Sequence, residues 1–132
     1  MTTTLVEDIG TLLKNAGVAS TSGGYRLMYR DLAPVPSQAI CVIPSGGQMG
    51  QGKVEIDYPG FQVLVRGSSV ASSGLEAQVQ AVNATLHLYD GTVNSRVYVN
   101  ITRTGDVQYL GRDGNQRPLY SVNFLATRSR TT

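Results

Sequence analysis

Among its 132 residues the chain has one cysteine, one histidine and two lysines, and each scarcity removes a class of function. The lone Cys41 excludes an intrachain disulfide and any cysteine-built metal cluster within one chain. The lone His87 falls off the apolar stripe of its helix, with no carboxylate at helical spacing to orient it. It reads as a partly exposed surface residue and not as an acid–base catalyst. Charge is sparse too: 15% of residues are charged, against roughly 25% in ordinary soluble domains. The net charge of +2 is too small for a nucleic-acid surface, which needs a concentrated basic patch. No apolar run approaches the roughly 20 residues of a membrane span. The opening MTTTLVED lacks the basic start and apolar core of a secretion signal. The expectation is a protein made in a cytoplasm with no membrane partner, where the sequons at Asn83 and Asn100 carry no glycan.

What remains is a chain with 41% apolar residues, long enough for one domain over 1–132 with its own core. Arginine outnumbers lysine nine to two, a skew that favours planar pairing with carboxylates across protein contacts. Thr4 and Glu7 form a capping box at the start of a helix over 4–16, with Leu5, Ile9, Leu12, Leu13 and Ala16 as its stripe and Gly17 as its stop. Residues 18–24 read as a loose loop, 25–30 as a short strand or ordered loop, and Pro34 and Pro36 rule out helix between them. Gln38 to Ile43 is apolar on both faces, which predicts a strand covered on both sides. A glycine-rich loop over 45–52 leads to a possible strand over 53–57, and Phe61 to Arg66 is a further strand. The main helix spans 73–89, capped by Ser73 and Glu76 and stopped by Asp90-Gly91, with Leu75, Val79, Val82, Leu86 and Tyr89 facing the core. Arg96 to Arg103 follows as a strand with Val97, Val99 and Ile101 on one face, and Thr104-Gly105-Asp106 turns it into the next element.

The most sharply patterned stretch is VQYLGRDGNQRPLYSVNF, Val107 to Phe124. Its second half alternates, with Tyr120, Val122, Phe124 and Ala126 on one face and Ser121, Asn123 and Thr127 on the other. Its middle supplies turn residues about Asp113-Gly114. The result is an extended C-terminal β-hairpin with a charged tip. The fold class expected is α+β, a mixed and mostly antiparallel sheet packed by two helices.

Few residues offer chemistry. Gly47-Gln48-Met49-Gly50-Gln51-Gly52-Lys53 matches the first seven places of a phosphate-binding loop. However, Val54 stands where a Ser or Thr must hold magnesium, and Val54 to Asp57 alternates like a strand where a helix should open. Cys41 reads as a small apolar residue, and Glu55 with Asp57 as solvated strand acids. No catalytic constellation, cofactor site or metal site is expected. Arg66, Arg112 and Arg117 suit charge pairing across a protein interface, with Asp113 or Asp106 of a neighbour as partner.

Four stretches resemble the minor capsid or tail terminator proteins of long-tailed bacteriophages. They are Leu32-Ala33-Pro34-Val35-Pro36 leading into Gln38 to Val42, the Gly46-Gly47 that follows, Tyr58 to Gly67, and Leu110 to Phe124. Together with the helices they cover residues 5–126. The resemblance implies a non-enzymatic virion protein without a cofactor. Such proteins form a closed homo-oligomeric ring, usually of about six subunits, by a contact that closes at a fixed rotation. The ring sits at the head-proximal end of the tail, partnered by the tail tube protein and the head connector or neck proteins. It also implies that Arg66, Arg112, Asp113 and Arg117 lie at subunit or tube contacts. Other readings are a head-side neck protein, a nucleotide-binding module using the glycine-rich loop, and a nucleic-acid-binding domain should the arginines gather in one stripe.

Overall fold

The computed structural model describes residues 4–48, 56–68 and 74–129. Helix α1 (Leu5–Asn15) begins where the sequence places it: the Thr4 hydroxyl accepts from the Glu7 amide at 3.3 Å and the Glu7 carboxylate accepts from the Thr4 amide at 2.9 Å. These two bonds satisfy donors that the first helical turn leaves open. Ala16 caps the far end and Gly17 turns the chain at φ 75°. The apolar face is wider than its stripe, since Val6 and Asp8 are buried while Ala16 is exposed. Residues 18–20, expected to be loose, are ordered instead. Val18 and Ala19 are buried in the core, and the Gln78 side chain donates to the Val18 carbonyl.

Seven strands follow in one sheet: β1 (Arg26–Tyr29), β2 (Ala39–Gln48), β3 (Ile56–Arg66), β4 (Gly91–Val93), β5 (Arg96–Arg103), β6 (Gln108–Arg112) and β7 (Pro118–Ser129). Their order is β1-β2-β3-β7-β5-β4, with β6 also on β7. Only β1 and β2 run parallel, so the sheet is mixed and mostly antiparallel, and with two helices the architecture is α+β. Ala39 to Val42 are buried on both faces of β2, in keeping with their unbroken apolar run. β2 then runs on past Pro44 to Gln48, pairing Gly46 with Gly60 and Gln48 with Tyr58, so the first part of the expected glycine-rich loop is strand. Residues 49–55, including Glu55, lie outside the described residues.

Helix α2 (Leu75–Leu86) is shorter than its periodicity suggests. Gly74 is its N-cap with no side-chain bond, and Ser73, the expected cap, lies outside the described residues. It ends before Asp90-Gly91 because the chain leaves to pair with β5: the Leu88 amide donates to the Ile101 carbonyl at 2.6 Å, and the Ile101 amide to the Tyr89 carbonyl at 3.1 Å. Leu88 takes φ 66° at this exit. Leu75, Val79, Val82 and Leu86 join Leu5, Val6, Ile9 and Leu13 of α1 over one face of the sheet. Phe61 and Phe124, paired across β3 and β7, stack there at 5.2 Å, a geometry worth about 0.5–1.5 kcal/mol beyond burial.

Strand β5 does not present the face its alternation suggests. Tyr98 and Ile101 are buried, whereas Val97 and Val99 are about half exposed, at 49% and 54%. An irregularity between Tyr98 and Asn100 inserts a residue and breaks the period of two, so Ile101 cannot share a face with the two valines. Thr104-Gly105-Asp106 does not reverse the chain either. The Thr104 amide donates to the Asn123 carbonyl at 2.9 Å, and β5 and β6 lie end to end along the same side of β7, pairing with its second and first halves. β6 and β7 still make the hairpin, but as the outer part of one long ribbon. Ser121, expected on the solvent side of β7, is buried between Leu64 of β3 and Gln108 of β6, both of which pair with it.

Candidate functional site

The residues singled out from the sequence converge at the β6–β7 turn. The turn is closed by two backbone bonds, Asp113 amide to Arg117 carbonyl at 3.0 Å and Gln116 amide to Asp113 carbonyl at 2.9 Å. The Asp113 carboxylate fills its concave side. Oδ1 accepts from the Asn115 and Arg117 amides at 2.9 and 3.0 Å, and Oδ2 from Arg117 Nε at 2.9 Å. Asparagine or aspartate bonding to its own downstream backbone is a standard way to fix a turn. The Arg117 amide, with lesser help from Asn115 and the Arg117 side chain, holds the Asp113 carboxyl below the usual carboxylate range.

Arg117 and Arg66 face inward. Arg117 is 7% exposed, and its Nη1 donates to the Pro34 carbonyl. Arg66, at 3% exposure, donates from Nε to the Ser37 carbonyl at 2.8 Å and from Nη2 to the Ala33 and Pro36 carbonyls at 2.7 Å each. Burial, followed by the neighbouring Arg117, pushes the Arg66 pKa down, and Asp113 opposes that shift. The sequence suggests outward-facing arginines. The structure commits both guanidiniums to the chain's own carbonyls, because the proline-rich segment 33–37 offers acceptors that no strand partner satisfies. Arg112 is the outward one, exposed, its side chain donating among the described residues to the Gln116 carbonyl at 2.6 Å.

Beside the turn, the helix-side face of β6 and the first turns of α2 border two adjoining open hollows of about 190 and 220 Å³. Glu76 and Tyr120 line both, and the Tyr120 hydroxyl donates to Glu76 at 3.0 Å. Tyr109, whose ring lies 5.1 Å from that of Tyr120, is 56% exposed, and Leu110 is 50% exposed. Among the described residues the outer edge of β6 has no strand beside it. The other edges are managed differently: β1 is flanked by Ser20, whose carbonyl accepts from Leu27 at 2.8 Å, and β4 is only three residues long.

The remaining sequence candidates do not join this site. His87 Nδ1 accepts from the Arg103 amide at 3.0 Å, a structural role. Cys41 is fully buried, and burial pushes its thiol up to about 11. Asp57 pairs with Arg128 at 3.2 Å. Gly47 and Gln48 belong to a strand and open no helix, while 49–53 lie outside the described residues. Among the described residues no group of three His, Cys, Asp or Glu side chains could hold a metal, and no helix is long and apolar enough to cross a membrane.

A buried polar network was not anticipated. Asp8 of α1, fully buried, accepts from the Tyr98 hydroxyl at 2.6 Å and from the Asn94 side chain at 2.9 Å. The sequence does hold a signal for it: Leu5 and Leu12, three residues before and four after, put Asp8 on the apolar stripe, where a carboxylate must find donors.

Three comparisons bear on this arrangement. A family model described as "Bacteriophage tail terminator protein" matches residues 12–130. No curated protein matches the sequence. Among solved structures, a chain of "Virion of native gene transfer agent (GTA) particle" is similar in fold, with a TM-score of 0.72 at 12% identity over 95% of this chain and 94% of that one.

Proposed function

Because the chain belongs to the bacteriophage tail terminator proteins, a family of structural virion-tail components, we propose that it acts as a ring. The ring closes the head-proximal end of the tail tube, stops its growth and offers a surface to the head connector. Copies join head to tail through the β6–β7 hairpin, in a contact whose fixed rotation closes at about six subunits. The observation that carries self-assembly is the edge of β6. Among the described residues it is a free strand edge with exposed Tyr109 and Leu110, next to a hollow, and without the lysine, proline or covering loop that usually blunts such edges. Within that contact Arg112 meets the neighbour directly, while Asp113, Arg117 and Arg66 hold the turn and its surroundings in shape. The fold shared with a chain of a virion particle is consistent with this role.

The test is the mass of the purified protein by light scattering over a concentration series, with negative-stain images, alone and after adding tail tubes. A closed ring, free or on the tube ends, is expected, together with tails of uniform length. A protein that stays monomeric and leaves tube ends bare and growing would end the proposal.

A further inference from the structure

Segment 33–37 crosses from β1 to β2 as a strap that belongs to no strand. Four of its five carbonyls, those of Ala33, Pro34, Pro36 and Ser37, accept from only two side chains, Arg66 and Arg117. The strap has little apolar anchorage of its own, since Val35 at its crest is 75% exposed. A segment held by a few polar bonds, with few apolar contacts, sits at the low-stability end of a fold. On β2, Ile40 and Val42 belong to the helix-facing core while Cys41, between them, points to the opposite face. Cys41 is nevertheless fully buried; its partner Met28 on β1 accepts at Sδ from the Ala33 amide at 3.2 Å, and its partner on β3, Leu64, lies two residues before Arg66 on the same face, which sets it beneath the strap.

One of the two holding residues is tied to the turn. Arg117 grips Pro34 with Nη1 while its Nε and amide are bound to Asp113. Asp113 itself touches no strap residue through any bond described above. Whatever moves the turn therefore withdraws one of the strap's two partners, the one on Pro34, and leaves the strap to Arg66 alone.

We propose that the strap and the β6–β7 turn form one latched unit, in which displacing the turn opens the strap and uncovers the outer face of β2 around Cys41. Asp113 is a positioning residue in this latch, acting through Arg117. The coupling is a property of the single chain, whatever the turn contacts, and it stands or falls apart from the ring. If it holds, a neighbour seated on Arg112 reads out, and can alter, the strap some residues away in space and about eighty away in sequence.

Cys41 is the chain's only cysteine, so its labelling by an aromatic disulfide reagent reports strap opening directly. The rate is to be measured in urea concentrations below the unfolding transition for the wild type, R117M and D113N. The wild-type thiol should react slowly. Both variants should react about tenfold faster or more, at rates flat across low urea, as local opening requires, with the helical circular dichroism unchanged. Acceleration in R117M but not in D113N would break the coupling and overturn the proposal. Wild-type rates in both, or rates in every protein that climb with urea along the global unfolding line, would overturn it as well. Should R117M fail to fold, D113N decides alone, because it removes one charge from a turn at the surface.

Discussion

At the scale of single residues, Gly10 shows steric fit winning over propensity. A Cβ there would fall 2.7 and 2.8 Å from Cε1 and Cζ of Tyr29, and closer still to its hydroxyl. Alanine should favour the helix by about 1 kcal/mol, but forcing the half-buried ring aside costs about 1–3 kcal/mol. G10A is therefore expected to lower the urea midpoint in the wild type and to raise it in a Y29A background. Equal destabilisation in both would show that Tyr29 is not the obstacle. Cys41 supplies a pH dependence. Its thiol is raised from 9.0 to about 11 because burial disfavours the thiolate. The folded state thus favours the protonated form, so the contribution is complete below pH 9 and is lost as pH rises from 9 to about 11. Tyr98 is raised above its ordinary 10.0 by burial and by its bond to Asp8, and its loss begins higher. C41A should move the onset of alkaline destabilisation from about pH 9 towards 10, read from urea midpoints across that range. An unchanged onset would mean that the thiol does not govern it.

At the scale of elements, the free edge of β6 makes a direct prediction. L110K places a charge on a half-exposed edge position, where a surface change shifts stability by about 0.5 kcal/mol or less but opposes strand addition. The variant should fold with an unchanged midpoint and fail to self-associate at concentrations where the wild type forms its largest species. Assembly equal to the wild type would move the contact elsewhere. The elements differ in how far the sequence reveals them. Helix α1 was legible because its signals are local: a hydroxyl and a carboxylate three residues apart, a stripe, and a glycine. The hairpin was legible through alternation and Asp113-Gly114. The faces of β5 were not, because one inserted residue at the Tyr98–Asn100 irregularity inverts the pattern and leaves no compositional trace. Nor was the burial of Arg66 and Arg117, since an arginine in a strand or a turn looks the same whether it meets solvent or carbonyls from a segment some thirty or eighty residues away. The four residues expected at subunit or tube contacts lie together in the fold, but the direction of two of them depends on a tertiary neighbour.

At the scale of the whole molecule, the sheet has its latest strand at its centre. β7 pairs with β3 on one side and with β5 and β6 on the other, and it contributes Val122, Phe124 and Ala126 to the core. Without it, the β1-β2-β3 half and the β4-β5 half share no hydrogen-bonded border. A ribosome makes these halves first and β7 after them, so a nascent chain carries two unjoined half-sheets whose apolar faces wait for residues beyond 117. Closure of this fold therefore waits until β7 has been made. A subunit halted before that point would have no finished core and no β7 for β6 to pair with, so the hairpin edge can reach neighbours only on chains that already hold β7.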